Sequence, residues 1–222
     1  MARLRRWEQM ERNREAVLGA ARRVFLERGY AGATLEAIAD TAGFSKGVVY
    51  SQFGSKADLF FELLERRISE RGAQNARIAA TATGPGGIRE MATAAAMDAG
   101  AEPEWAQLLV EFRAHAARDH ELNRRYAAIH ARTVDGIASA LGQMHAAAGR
   151  EPPVPLRAMA EFVLAAGAGI TLERLANNGA LADSDAIDLL TSALTGTGAR
   201  TGTLTGLTSA EPANSPAAHE GR

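Results

Sequence analysis

Between Val17 and Phe61 the apolar residues fall into short runs of helical period, cut apart by glycines and by hydroxyl side chains that cap helices. Val17, Ala21, Val24 and Phe25 stand at i, i+4, i+7 and i+8, one face of a helix. Gly29 is placed to stop it as a left-handed cap. Thr34 offers an N-cap to a second helix over 35–42, whose buried side would be Leu35, Ile38, Ala39 and Ala42, and Gly43 ends it. Ser45 is placed to cap a third helix over roughly 46–52. Ser55-Lys56-Ala57-Asp58 has the spacing of a capping box ahead of Leu59-Phe60-Phe61, which opens a fourth helix expected to reach about residue 72. Three helices with a short glycine-containing turn between the second and third make a helix-turn-helix.

The third helix is a poor one. Gly47 and its β-branched neighbours Val48 and Val49 are weak helix formers, glycine by about 1 kcal/mol relative to alanine. Val49 and Phe53, four apart, can anchor it on Ile38 and Ala39, which leaves Lys46, Gly47, Ser51 and Gln52 outward. A helix entering a DNA major groove about 12 Å wide needs such a small, hydrogen-bonding face. Lys46 suits guanine and Gln52 adenine, while Tyr50 and Lys56 would flank the groove on phosphates. The other reading of the same spacing is a packed helical corner that meets no DNA.

The formal net charge of −1 would by itself argue against nucleic acid. The charge is uneven, however. Residues 1–71 hold 13 Lys+Arg against 10 Asp+Glu, and the remainder holds 12 against 16. A basic end on an acidic body is the asymmetry of a nucleic-acid module joined to something else, although a solvated helix face would look the same. No stretch approaches the roughly 18 apolar residues of a membrane span, and the N-terminus has no apolar run of a secretory signal. The absence of cysteine excludes disulfides and thiolate metal sites, and suits a cytoplasmic protein.

Residues 25–60 resemble the DNA-binding region of TetR-family transcriptional regulators. The pattern is carried by Phe25, Gly29, Tyr30 and Thr34, then Ile38, Ala39, Ala42, Gly43, Phe44, Ser45, Gly47, Tyr50, Gln52, Phe53, Lys56 and Leu59. Gln52 stands where the family often has histidine, which bears on base preference and leaves the fold untouched. The resemblance implies phosphate contacts from Thr34, Tyr50 and Lys56, and a groove face of Ser45, Lys46, Gly47, Val48, Ser51 and Gln52. It also implies an all-α chain whose helical C-terminal domain binds a small molecule and dimerises through its last two long helices, here 156–178 and 184–194. The expected division is a DNA-binding domain with a basic N-terminal arm at 1–54, a ligand-binding and dimerisation domain at 55–195, and a disordered tail at 196–222.

In the body itself, "TATGPGG" at 81–87 reads as a break, followed by helices over 88–99, from Glu104, and along a long pattern from Leu122 to Met144. "GREPPVPL" at 149–156 is the clearest boundary. Beyond it, small residues around Ala166 and Gly169, flanked by Phe162 and Ile170, suggest a four-helix dimer seam, with an internal core helix as the alternative. Met91, Met97, Trp105, Phe112, His115, Tyr126 and Met144 are candidates for a pocket lining, each also plausible as plain core. Few charges fall on inner faces, so the effector is expected to be apolar. Glu111, His115, Asp119, His120 and His130 are a conceivable metal set, but no paired His-x-x-x-His motif or catalytic triad stands out. The expectation is therefore a regulator with no catalytic, metal or cofactor site: a homodimer on palindromic double-stranded operator DNA, released by a small-molecule effector. An architectural DNA-binding protein without effector and a helical metal-dependent enzyme are the alternatives.

Overall fold

The computed structural model of the protein describes residues 2–177 and 179–196. Among the described residues there are nine α-helices and no strand: α1 (Ala2–Gly32), α2 (Leu35–Ala42), α3 (Lys46–Gln52), α4 (Lys56–Thr81), α5 (Gly84–Ala101), α6 (Pro103–Ala116), α7 (His120–Ala147), α8 (Leu156–Ala176) and α9 (Asp183–Thr195). The segment expected to be a basic arm is the helical start of α1. The expected tail beyond Gly196, and Asn178 of the expected cap after α8, lie outside the described residues.

Local chemistry sets the N-terminal boundaries. Gly29 interrupts α1 at φ 67°, ψ 174°, and a single further turn follows it. The Thr34 hydroxyl accepts from the Ala37 N–H at 3.1 Å, and Gly43 closes α2 in the left-handed conformation at φ 74°. Ser55 accepts from the Asp58 N–H at 3.1 Å and donates its own hydroxyl to the Asp58 carboxylate at 2.7 Å. That hydroxyl, with Arg125 behind it, holds the Asp58 carboxyl below its ordinary range.

Two expected bounds move. α4 does not stop near residue 72 but continues to Thr81, because Ile78 and Ala79 dock into the core of the body. α5 starts at Gly84 rather than 88, with Pro85 in its first turn, where a missing N–H costs nothing. The break is thus only Ala82 and Thr83.

The interior holds two apolar clusters. The first joins α1 to α4 with α6 and the start of α7 through Phe25, Tyr30, Phe60, Phe61, Trp105 and Phe112, with the Phe60 and Phe112 rings stacked at 4.0 Å. It crosses the expected boundary at 54/55. The second, around Ile88, Met91, Leu141, Met144 and Met159, joins α5, α7 and α8 to the end of α4. Ion pairs also span the junction: Glu102 receives Arg22 from α1 and Arg67 from α4, the latter at 2.5 Å. Partly exposed pairs contribute about 0–1 kcal/mol each, whereas burying one phenylalanine contributes about 1.5–3 kcal/mol. The aromatic cluster, not the charges, therefore holds α1–α3 onto the body.

Candidate nucleic-acid interface

α3 is mounted by what precedes and follows it. The turn Gly43-Phe44-Ser45 is tied to α2 by the Phe44 N–H donating to the Ala39 carbonyl at 3.0 Å. Val49 and Phe53 are buried in the first cluster. Arg14 of α1 clamps the far end: its guanidinium lies 4.4 Å over the Phe53 ring, donates to the Gln52 carbonyl at 3.3 Å and pairs with Glu62. This second mount leaves no signal in local spacing, since Arg14 and Gln52 are 38 residues apart.

The outward face consists of Lys46, Gly47, Tyr50 and Ser51, all exposed, with Val48 partly so. Ser51 donates its hydroxyl to the Val48 carbonyl at 2.8 Å, and Tyr50 is 50% exposed. Lys46 pairs with Glu36 of α2 at 3.3 Å, an exposed pair that a stronger acceptor can displace. Glu36 is held below its ordinary range, first by its own backbone N–H and then by Lys46. A Cβ added at Gly47 would meet nothing nearer than the Ser45 hydroxyl at 3.9 Å, and Gly47 does not have positive φ. Neither packing nor backbone geometry within the chain requires glycine there.

Three sequence expectations change on this face. Ser45 occupies the N-cap position of α3, yet its side chain makes no capping hydrogen bond, so its hydroxyl is left to the surface. Gln52 does not project outward as expected. It is half-buried, and its Oε1 is buried without a hydrogen-bond partner among the described residues. Reading a base from there requires the carboxamide to swing out. Lys56 is already engaged, donating to the Tyr30 carbonyl at 2.7 Å and the Ala31 carbonyl at 3.3 Å, with its ammonium 4.5 Å over the Tyr30 ring. Burial pushes its pKa down, and Glu111 partly opposes this. Lys56 closes the end of α1 as well as standing beside α3. Thr34 is exposed at the start of α2.

The comparisons with known proteins match this helix-turn-helix and the helical body behind it. The sequence profile of bacterial regulatory proteins of the tetR family fits residues 17–63, and that of the C-terminal part of BetI-type transcriptional repressors fits residues 87–199. The chain belongs to the TetR family of transcriptional regulators. Among TetR-family relatives, the transcriptional activator FasR of Mycolicibacterium smegmatis is 43% identical over 58 residues, 26% of this chain and 26% of that protein. The repressor AcnR of Corynebacterium diphtheriae is 36% identical over 70 residues, 30% of this chain and 37% of that protein. The chain thus matches only about a quarter to a third of the length of these curated relatives. Among solved structures, the regulator FadR of Bacillus subtilis, in complex with stearoyl-CoA, superposes with a TM-score of 0.68 at 17% identity, over 81% of this chain and 98% of that one. A TetR-family regulator of Mesorhizobium loti gives 0.64 at 20% identity, over 83% and 94%. At those identities the likeness is one of fold.

The residues expected to line one pocket are not brought together. Trp105 and Phe112 belong to the first cluster, with Tyr126 packed against it, whereas Met91 and Met144 belong to the second. His115 is exposed, its ring 5.2 Å from Tyr30, and Met97 is 71% exposed on the outer side of α5. The aromatics fill space that alanine-rich helices leave between them, so they serve as core. Glu111, weighed as a metal ligand, instead reaches the break in α1: its carboxylate accepts from the Ala31 N–H at 3.4 Å and lies where a Cβ on Gly29 would be, 2.6 Å away. No group of three ligating side chains that could hold a metal ion occurs among the described residues.

The expected dimer seam has an open apolar surface. α8 buries only Met159 and Ala160, while Phe162, Leu172 and Leu175 are about half exposed, as is Leu189 of α9. A Cβ on Gly167 or Gly169 would meet nothing within 4 Å among the described residues. Ala166 and Ile170 are half-buried on the same helix.

Proposed function

We propose that this chain is an effector-responsive transcriptional regulator that binds a palindromic operator as a homodimer and is released from it by a small, largely apolar molecule, so that it acts as a repressor. Residues 1–54 form the DNA-reading part and 55–195 the effector and dimerisation part. The observation that carries the reading is Gly47: an exposed glycine costs helix stability, nothing inside the chain calls for it, and it sits in the middle of the outward face of α3. A duplex approaching the backbone supplies the missing reason. Lys46, Gly47, Val48 and Ser51 face the bases, joined by Ser45 and by Gln52 once its carboxamide turns out. Thr34, Tyr50 and Lys56 hold phosphates, contacts that set register rather than sequence.

Two copies meet through the half-exposed apolar face of α8 with α9, around Phe162, Ala166, Gly169 and Ile170. Small residues there let helices approach closely. A neighbour of the same fold holding stearoyl-CoA supports response to an organic effector. No helix among the described residues is long and apolar enough to cross a membrane, which fits a regulator working on cytoplasmic DNA. We assign it no catalysis and no cofactor. Selection of bound sequences from random DNA with the purified protein tests the proposal. A recovered inverted repeat is the expected result, and recovery of no common sequence would contradict it.

A further inference from the structure

Between the two apolar clusters α4 carries a polar layer that the fold does not explain. Its inner residues are apolar as far as Ile68 and again from Ile78. Between them stand Arg71 and Asn75, one turn apart on the same side of the helix. Asn75 is only 7% exposed, and its Oδ1 has no hydrogen-bond partner among the described residues. Arg71 donates to three neutral acceptors, the carbonyls of Ala94 at 2.8 Å and Met91 at 3.3 Å and the Gln74 side chain at 3.1 Å. No carboxylate lies within ion-pair distance of it among the described residues. The nearby Asp98 is taken by Arg67 at 3.0 Å. Burial pushes the Arg71 pKa down, Asp98 opposes this and Arg67 adds to it.

Buried polar groups such as the Asn75 amide oxygen are almost always paired, and a cation drawn partly out of water, like the half-buried Arg71, is favoured by an anion beside it. An unpartnered buried amide oxygen beside a half-buried guanidinium that meets no carboxylate calls for a third group. We infer that Arg71 and Asn75 form the polar end of the effector seat, with Arg71 taking the carboxylate of an amphiphilic acid and Asn75 a hydrogen-bonding atom next to it. The apolar body of the ligand then runs along Met91, Ile88 and Val134 in the second cluster, which Arg71 already touches through the Met91 carbonyl. α5 is the wall that yields to admit it: apart from Ile88 and Met91 it buries only small residues, Gly84, Gly87 and Ala92. The ligand class therefore differs from the apolar one expected from the inner faces alone, and the inference rests on the effector response proposed above.

Matched pairs of compounds test it: octanoate, dodecanoate, 4-phenylbutyrate and indole-3-acetate, each against its primary alcohol. The measurements are the melting temperature of the full chain, the ligand Kd by calorimetry, and the affinity for the selected operator. At least one acid should raise the melting temperature and weaken operator binding, with its alcohol binding at least ten-fold less tightly. Arg71→Met should reduce the acid to the affinity of its alcohol. Asn75→Leu should keep or raise the melting temperature of the free protein, since an apolar group replaces an orphaned acceptor, while weakening the acid several-fold. Alcohols that bind as well as their acids, a preference that survives Arg71→Met, or a panel in which no acid raises the melting temperature would each overturn the inference. Alcohols that release the operator where acids do not would overturn the ligand class alone and leave the effector response standing. A melting temperature lowered by Asn75→Leu would instead mark the amide as structural and remove it from the seat.

Discussion

At the scale of single residues, two glycines with opposite reasons separate what the chain needs for itself from what it offers to a partner. Gly29 is required internally, by its positive φ and by the Glu111 carboxylate standing where a Cβ would be. Gly29→Ala should destabilise the protein by more than about 1 kcal/mol, because alanine is strained at that backbone geometry. Adding Glu111→Ala should recover only the steric part, a non-additivity that denaturant melts of the single and double variants measure. Gly47 is not required internally. Gly47→Ala should raise stability by up to about 1 kcal/mol and weaken operator binding. Melting and operator titration on the same variant separate the two effects, and unchanged operator affinity would mean that no backbone approaches DNA at Gly47.

At the scale of elements, α3 depends on α1 and α4 for its position, and Lys56 joins those two. Its ammonium caps the carbonyls of Tyr30 and Ala31 at the end of α1 while lying in the first turn of α4. Lys56→Ala should therefore lower the melting temperature and weaken binding to every sequence about equally, with the salt slope reduced by roughly one charge. α8 poses the complementary case, an apolar helix with little to cover it. Gly169→Asp should leave the subunit folded, since the position is open, and give monomers in analytical ultracentrifugation. An intact dimer would move the seam elsewhere. The boundaries legible in the sequence were those written by neighbouring residues: Thr34 and Ser55 as caps, and Gly43 as a stop, each acting within four positions. What escaped reading depends on distant partners. α4 outlasts its expected end because Ile78 finds a cluster built by α5 and α7. Gln52 turns inward, and of the seven residues expected around one pocket five divide between two cores while Met97 and His115 stay exposed, because no spacing along one helix tells which neighbour fills the space beside it.

At the scale of the whole molecule, the aromatic cluster ties α1–α3 to α4 and α6, so a shift of α4 or α6 must displace α3. A dimer reads half-sites about one helical turn apart, roughly 34–36 Å, so a modest change in separation spoils the match on one side. An effector can drive this only by as much as it prefers the released arrangement, and a coupling of about 1–3 kcal/mol would weaken operator binding about 5- to 150-fold. The chain has no cysteine, so a single introduced one can be labelled without background. Thr41 is exposed in the last turn of α2 and is not among the residues assigned to DNA. A nitroxide on Thr41→Cys reports the separation of the two DNA-reading units by pulsed dipolar spectroscopy. The account predicts a dipolar signal from the singly labelled chain, a distribution that narrows on the selected operator to a separation consistent with successive half-sites, and a shift away from it when effector is added. No dipolar signal, or a distribution that neither operator nor effector alters, would contradict it.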